Sequence, residues 1–104
     1  MREPVGVCDT ESERIVTFCV SAIDSSNARS ILEILHQHIP DRLHLLIDLS
    51  NVAMINSSGL GVFFTLGKIC KERGVKMHVR GAAPPIIDLF KMVNADIFFD
   101  WQNA

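Results

Sequence analysis

Residues 43–61 read Leu-His-Leu-Leu-Ile-Asp-Leu-Ser-Asn-Val-Ala-Met-Ile-Asn-Ser-Ser-Gly-Leu-Gly, and the fold turns on how this stretch divides. Leu43 to Leu49 is apolar except for His44 and Asp48, the composition of a central strand covered on both faces by helices. A loop opens at Ser50. Beyond it the spacing predicts a helix from about Ser58 to Arg73, with Leu60, Phe63, Phe64 and Gly67 on one face and Gly74 just past its end. Lys68, Lys71 and Arg73 then fall where the helix dipole favours cations.

Working outward, Arg14 to Val20 is rich in β-branched and aromatic residues and reads as a strand, paired with a short one at Val5 to Cys8 in a hairpin. Ser25, Ser26 and Asn27 offer oxygens to cap a helix with apolar positions Ala28, Ile31, Leu32 and Leu35, which Pro40 and Asp41 end. Downstream, Val75 to Val79 alternates as a strand with one more open face. Pro84-Pro85 opens a third helix, Ile86 to about Val93, since proline is tolerated in a first turn, and Ile97 to Phe99 adds a last short strand. Strand and helix in alternation imply parallel strands joined by right-handed crossovers. The fold class is therefore α/β, a mostly parallel mixed sheet with an N-terminal hairpin and alternating helices. Ligands and partners of such folds meet the loops at the carboxyl ends of the strands.

The 104 residues fit one domain, 1–104, without internal repeat or linker. A hydrophobic fraction of 48% with 21% charged residues is ordinary for a globular protein, and a net charge of −2 offers no attraction for nucleic acid. No apolar run approaches the roughly 18 residues of a spanning helix, and Met1-Arg2-Glu3-Pro4 opens no secretory signal. A cytoplasmic location without membrane insertion is expected. Cys8, Cys19 and Cys70 are odd in number and widely spaced, as reduced, buried thiols would be. His36 and His38 point to different sides of a helix and His44 and His78 lie on separate strands, so no metal site is expected.

The loop and helix start at 50–61 concentrate the unusual chemistry. Two glycines in the opening turns of a helix cost about 1 kcal/mol each against alanine, so propensity does not account for Gly59 and Gly61. A low surface at a helix N-terminus lets another group approach closely, and free N–H groups with the positive dipole end suit an oxyanion. Equally, Ser57 or Ser58 serves as an N-cap and the glycines ease packing. Both readings stand on the local pattern. A Rossmann fingerprint would need glycine at Phe64, and the Gly-Lys-Ser/Thr of a Walker A loop is absent. A nucleophile elbow would need glycine at Ile55.

Leu46-Ile47-Asp48-Leu49-Ser50 followed by Met54-Ile55-Asn56-Ser57-Ser58-Gly59-Leu60-Gly61 resembles the signature of STAS domains, specifically the bacterial anti-sigma factor antagonists. The likeness covers nearly the whole chain. Ile23-Asp24 matches the family's Leu-Asp position, Gly74-Val75-Lys76-Met77 its turn into the next strand, and Pro85 to Phe90 its third helix. This resemblance implies a STAS-like single domain that binds an anti-sigma factor which is also a serine kinase, releasing the sigma factor. It further implies that the kinase phosphorylates Ser57 and that a serine phosphatase restores binding. The kinase supplies ATP and Mg²⁺, so the domain is substrate and ligand, not an enzyme, and needs no cofactor. The implied partner-binding residues are Asp24, Asn56, Ser57, Ser58, Gly59, Leu60 and Gly61. Two departures stand out: Asn56 where the family has Asp, and Ser21-Ala22 where it has Gly before the Leu-Asp pair. A final helix common in the family is expected to be short or missing after Trp101.

Other readings compete. Asp24 is an N-cap or a docking residue, and only the resemblance favours docking; Asp48 anchors the loop through hydrogen bonds. Phe98, Phe99 and Trp101 are expected under the sheet edge. The alternative function is a STAS subunit of a lipid-transport complex or a signalling scaffold, with the same loop packed on a partner and never phosphorylated. A small hydrolase using Ser57 lacks a base near the loop in sequence.

Overall fold

A computed structural model describes residues 3–102. The hairpin forms as expected: β1 (Val5–Asp9) and β2 (Glu13–Phe18) pair antiparallel, with Val5 opposite Phe18 and Asp9 opposite Arg14. Beside the turn, the Arg14 guanidinium donates to both Asp9 oxygens at 2.8 and 3.0 Å, which holds Asp9 below the usual carboxylate range. β4 (His44–Asp48), β6 (Met77–Arg80) and β7 (Asp100–Gln102) then add in parallel, giving the sheet order β1-β2-β4-β6-β7. Helices α1 (Ala28–Gln37), α2 (Ser57–Arg73) and α3 (Pro84–Met92) are the crossovers. Gly74, at φ 72°, closes α2 with its N–H on the Cys70 and Lys71 carbonyls, the left-handed cap that glycine adopts at least cost.

The strand order decides where the helices go. Each crossover steps across the sheet in the same direction, and right-handed crossovers stepping one way place every helix on the same side. Buried residues of all three helices accordingly share one core with Val16, Phe18, Leu45, Ile47, Met77 and Val79. Aromatic rings run through that core, with Phe63 at 5.8 Å from Phe18 and 5.1 Å from Phe90. This corrects the expectation that helices cover both faces of the 43–49 strand. Its alternate residues His44, Leu46 and Asp48 lie on the other face, where Leu46 is buried to 1% beside its register partners Ile15 and His78.

Four further details depart from expectation. α1 receives no side-chain cap: Asn27 turns back, accepting from the Asp24 N–H and donating to the Ala22 carbonyl, so it fastens the entry to the helix instead. On α2 the buried residues are Gly59, Leu60, Val62, Phe63, Leu66, Gly67 and Cys70, so Leu60, Phe63 and Gly67 fall as expected while Phe64 is only half-buried. Residues Ala95–Phe98 form a 3-10 turn and the last strand begins at Asp100, because Phe98 packs on Phe64, 5.9 Å away, before the chain reaches the sheet edge. Cys8 and Cys19 are exposed and only Cys70 is buried, which pushes its thiol up to about 11. The family's final helix would follow Gln102, outside the described residues.

Candidate functional site

At the carboxyl end of β4 the chain leaves the main sheet and builds a second, smaller one. β5 (Met54–Ile55) pairs in parallel with β3 (Ala22–Ile23), Ala22 opposite Met54 and Ile23 opposite Ile55. Two strands of two residues carry no periodicity a sequence can display, and neither was foreseen. Their pairing places Asp24 alongside Asn56 at the head of α2, since each is the next residue beyond the register.

The connecting loop is fastened throughout. Asp48 Oδ1 accepts from the Ser50 N–H at 2.8 Å and from the Ser50 hydroxyl, while Oδ2 takes the Arg80 Nε at 3.0 Å. The Asn51 amide donates to the Phe18 carbonyl, Val52 N–H to Leu49, Ala53 N–H to Ser21 and Asn56 N–H to Ile23. Burial opposes ionisation of Asp48, yet the Ser50 donors and Arg80 outweigh it, so its pKa lies below the usual carboxylate value. The expected anchoring role of Asp48 is what the geometry shows.

A folded-state pKa below the unfolded one means the stabilisation is complete above the unfolded carboxylate value, about pH 4, and is lost as pH falls through the folded value. Asp48→Asn should remove the Arg80 ion pair, lowering stability at neutral pH by about 2 kcal/mol and flattening the decline below pH 4. Urea melts between pH 2 and 7 check both effects. An unaltered acid limb would assign the acid sensitivity to other carboxylates.

Asn56, not Ser57 or Ser58, is the N-cap. With extended backbone (φ −98°, ψ −170°), its Oδ1 accepts the Gly59 N–H at 3.1 Å and its carbonyl takes the Leu60 N–H at 2.9 Å. Both residue types cap well; the pairing of β5 with β3 fixes Asn56 in the extended state a cap requires and leaves the serines inside the first turn. Ser57 and Ser58 are exposed, and neither makes a side-chain hydrogen bond among the described residues. Asn56→Ala should cost about 1 kcal/mol, while Asn56→Asp should keep the cap and gain from the helix dipole. Thermal melts of the two variants check this; equal losses would deny the cap.

The two glycines part company. A Cβ on Gly59 would lie 2.5 Å from the Ile23 carbonyl oxygen and 2.7 Å from Ile55 Cγ2, whereas one on Gly61 would meet nothing within 4 Å. Gly59 and Leu60 are buried, so the close approach at Gly59 is made by β3 of the same domain. This corrects the expectation that both glycines admit a partner. The outward face therefore consists of Asn56, Ser57, Ser58 and Gly61, bordered by Asp24. Asp24 is not a helix cap: its Oδ1 accepts from the Ser26 hydroxyl at 2.5 Å and the Ser26 N–H at 2.9 Å, which hold it below the usual carboxylate range. The structure adds Met54, 48% exposed beside Asn56; a two-residue strand gives no sequence signal that could have found it.

Among the described residues no three His, Cys, Asp or Glu side chains gather as ligands. His44 and His78 set their rings edge to face, 6.2 Å apart, on strands of the helix-free face. Nor is any helix among the described residues long and apolar enough to cross a membrane.

Known proteins share this fold. An anti-sigma-B factor antagonist of Listeria monocytogenes is 24% identical over 105 residues, spanning 100% of this chain and 92% of its own length. An anti-sigma-factor antagonist domain protein from Planctomyces limnophilus superposes with a TM-score of 0.80 at 16% identity, covering 96% of this chain and 90% of that one. A further antagonist, solved in its unphosphorylated form, has a TM-score of 0.76 at 11% identity over 96% of this chain and 87% of its own. At such identities the superpositions establish the fold. The family model described as STAS domain matches residues 9–103, and the chain belongs to the STAS domain family.

Proposed function

We propose that this domain is an anti-sigma factor antagonist, docking through its Asn56–Gly61 face onto an anti-sigma factor that is also a serine kinase. The observation that carries this reading is the cap: Asn56 satisfies the Gly59 N–H and so leaves the Ser57 hydroxyl exposed and unengaged at the first position of α2. Phosphorylation of Ser57 by the kinase ends the interaction, and a serine phosphatase restores it. Asp24 and Met54 border the docking face, and Leu60 supports it from beneath. The domain works in the cytoplasm as substrate and ligand, with no catalysis and no cofactor of its own. The antagonist names of its relatives support the same reading.

Incubating the protein with its partner kinase and ATP, then locating the added mass by peptide mapping, tests this directly. Modification is expected on Ser57. Phosphate on Ser58 alone, or none from an active kinase, would refute the assignment.

A further inference from the structure

On the same carboxyl-end rim of the sheet, but sharing no residue with the Ser57 face, a cavity of about 470 Å³ opens between α3 and the carboxyl ends of β6 and β7. That volume is within the range of small-molecule sites, and the ends of parallel strands are where open α/β sheets take ligands. Ile87 gives it an apolar wall, the Trp101 indole a flat aromatic one, and Gln102 an amide. Its charges are of one sign: Arg80 and Lys91 line it, with no carboxylate among the lining residues.

The two cations are not equivalent. Arg80 is held by Asp48 through Nε, the only hydrogen bond its guanidinium makes among the described residues, so it is pre-oriented but half neutralised. Lys91 is exposed at the last turn of α3 and makes no ion pair among the described residues. The Trp101 Nε1 is closed off from solvent, so Trp101 offers the cavity its ring and not its N–H. Cationic donors beside apolar and aromatic walls fit an acceptor-rich anion carried on an apolar body.

We propose that this cavity binds a small organic carboxylate, its oxygens toward Lys91 and Arg80 and its hydrocarbon part against Ile87 and the Trp101 ring. Neither the Ser57 face nor the antagonist reading is needed for it. Trp101 is the one tryptophan of the chain, so its fluorescence reports this cavity directly.

Titration with hexanoate should change Trp101 emission saturably and perturb the amide resonances of Ile87, Lys91 and Gln102. Lys91→Gln, at an exposed position, should keep the fold and weaken binding about tenfold, as loss of a charge-assisted hydrogen bond does. Hexylamine, of reversed charge, should not bind, and inorganic phosphate and acetate should bind more weakly than hexanoate. No change in emission or resonances with hexanoate overturns the site. Perturbations away from α3 and β7, or affinity unaltered in Lys91→Gln, overturn its placement, and phosphate binding as tightly as hexanoate overturns the ligand class.

Discussion

Gly59→Ala should destabilise the domain strongly while Gly61→Ala leaves it as stable as before or slightly more so. Helix propensity favours alanine at both positions by about 1 kcal/mol, so propensity alone predicts two gains. At Gly59 the new methyl would sit 2.5 Å from a backbone oxygen of β3, which cannot swing aside as a side chain can. Either α2 lifts or the β3–β5 pair parts, at a net cost on the order of 3 kcal/mol for overpacking of this kind. At Gly61 the methyl meets open space, and its effect falls on whatever docks there. Urea melts of both variants give the first comparison and partner titration of Gly61→Leu the second. Equal stability of the two alanine variants would show that β3 yields; undiminished affinity of Gly61→Leu would place the partner elsewhere.

Ser57→Asp should bind the partner on the order of a hundredfold more weakly than Ser57→Ala, with no change in fold, since facing or burying an unpaired charge at an interface costs several kcal/mol. A phosphate adds about −1.5 to −2 charges at neutral pH, more than aspartate does, so the phosphoprotein should bind more weakly still. The domain itself can accommodate the group. α2 has no acidic residue in its first turn, its cap is the neutral Asn56, and its dipole favours an anion. Circular dichroism should therefore superimpose for the three forms while calorimetric titration separates them. Equal partner affinity of both phosphoforms would refute the switch, whereas a phosphoform that melts earlier would make it a folding effect.

Much of this was legible in the residues. The hairpin, three helices and central strand announce themselves through apolar spacing, and Gly74 and Pro84-Pro85 punctuate them by backbone chemistry that acts locally. The one-sided cover of the sheet was not legible, because Leu46 is as apolar as Leu45 and Ile47 and its face follows only from strand order. The cap could not be read among Asn56, Ser57 and Ser58, which differ little in capping strength; contacts with Ile23, far away in sequence, decide it. The glycines were separable in principle. Gly59 precedes Phe63 by four residues and Leu66 by seven, on the buried stripe, whereas Gly61 stands at the same intervals before exposed Thr65 and Lys68.

The stitching of residues 50–56 has a kinetic consequence. A face whose backbone is already fastened to β2, β3 and β4 has little left to order on docking, so association need not wait for a rearrangement. Variation of Met54, Asn56 or Gly61 should then leave encounter rates nearly constant and appear as residence time. A partner exchanged on this face is timed by how quickly it lets go.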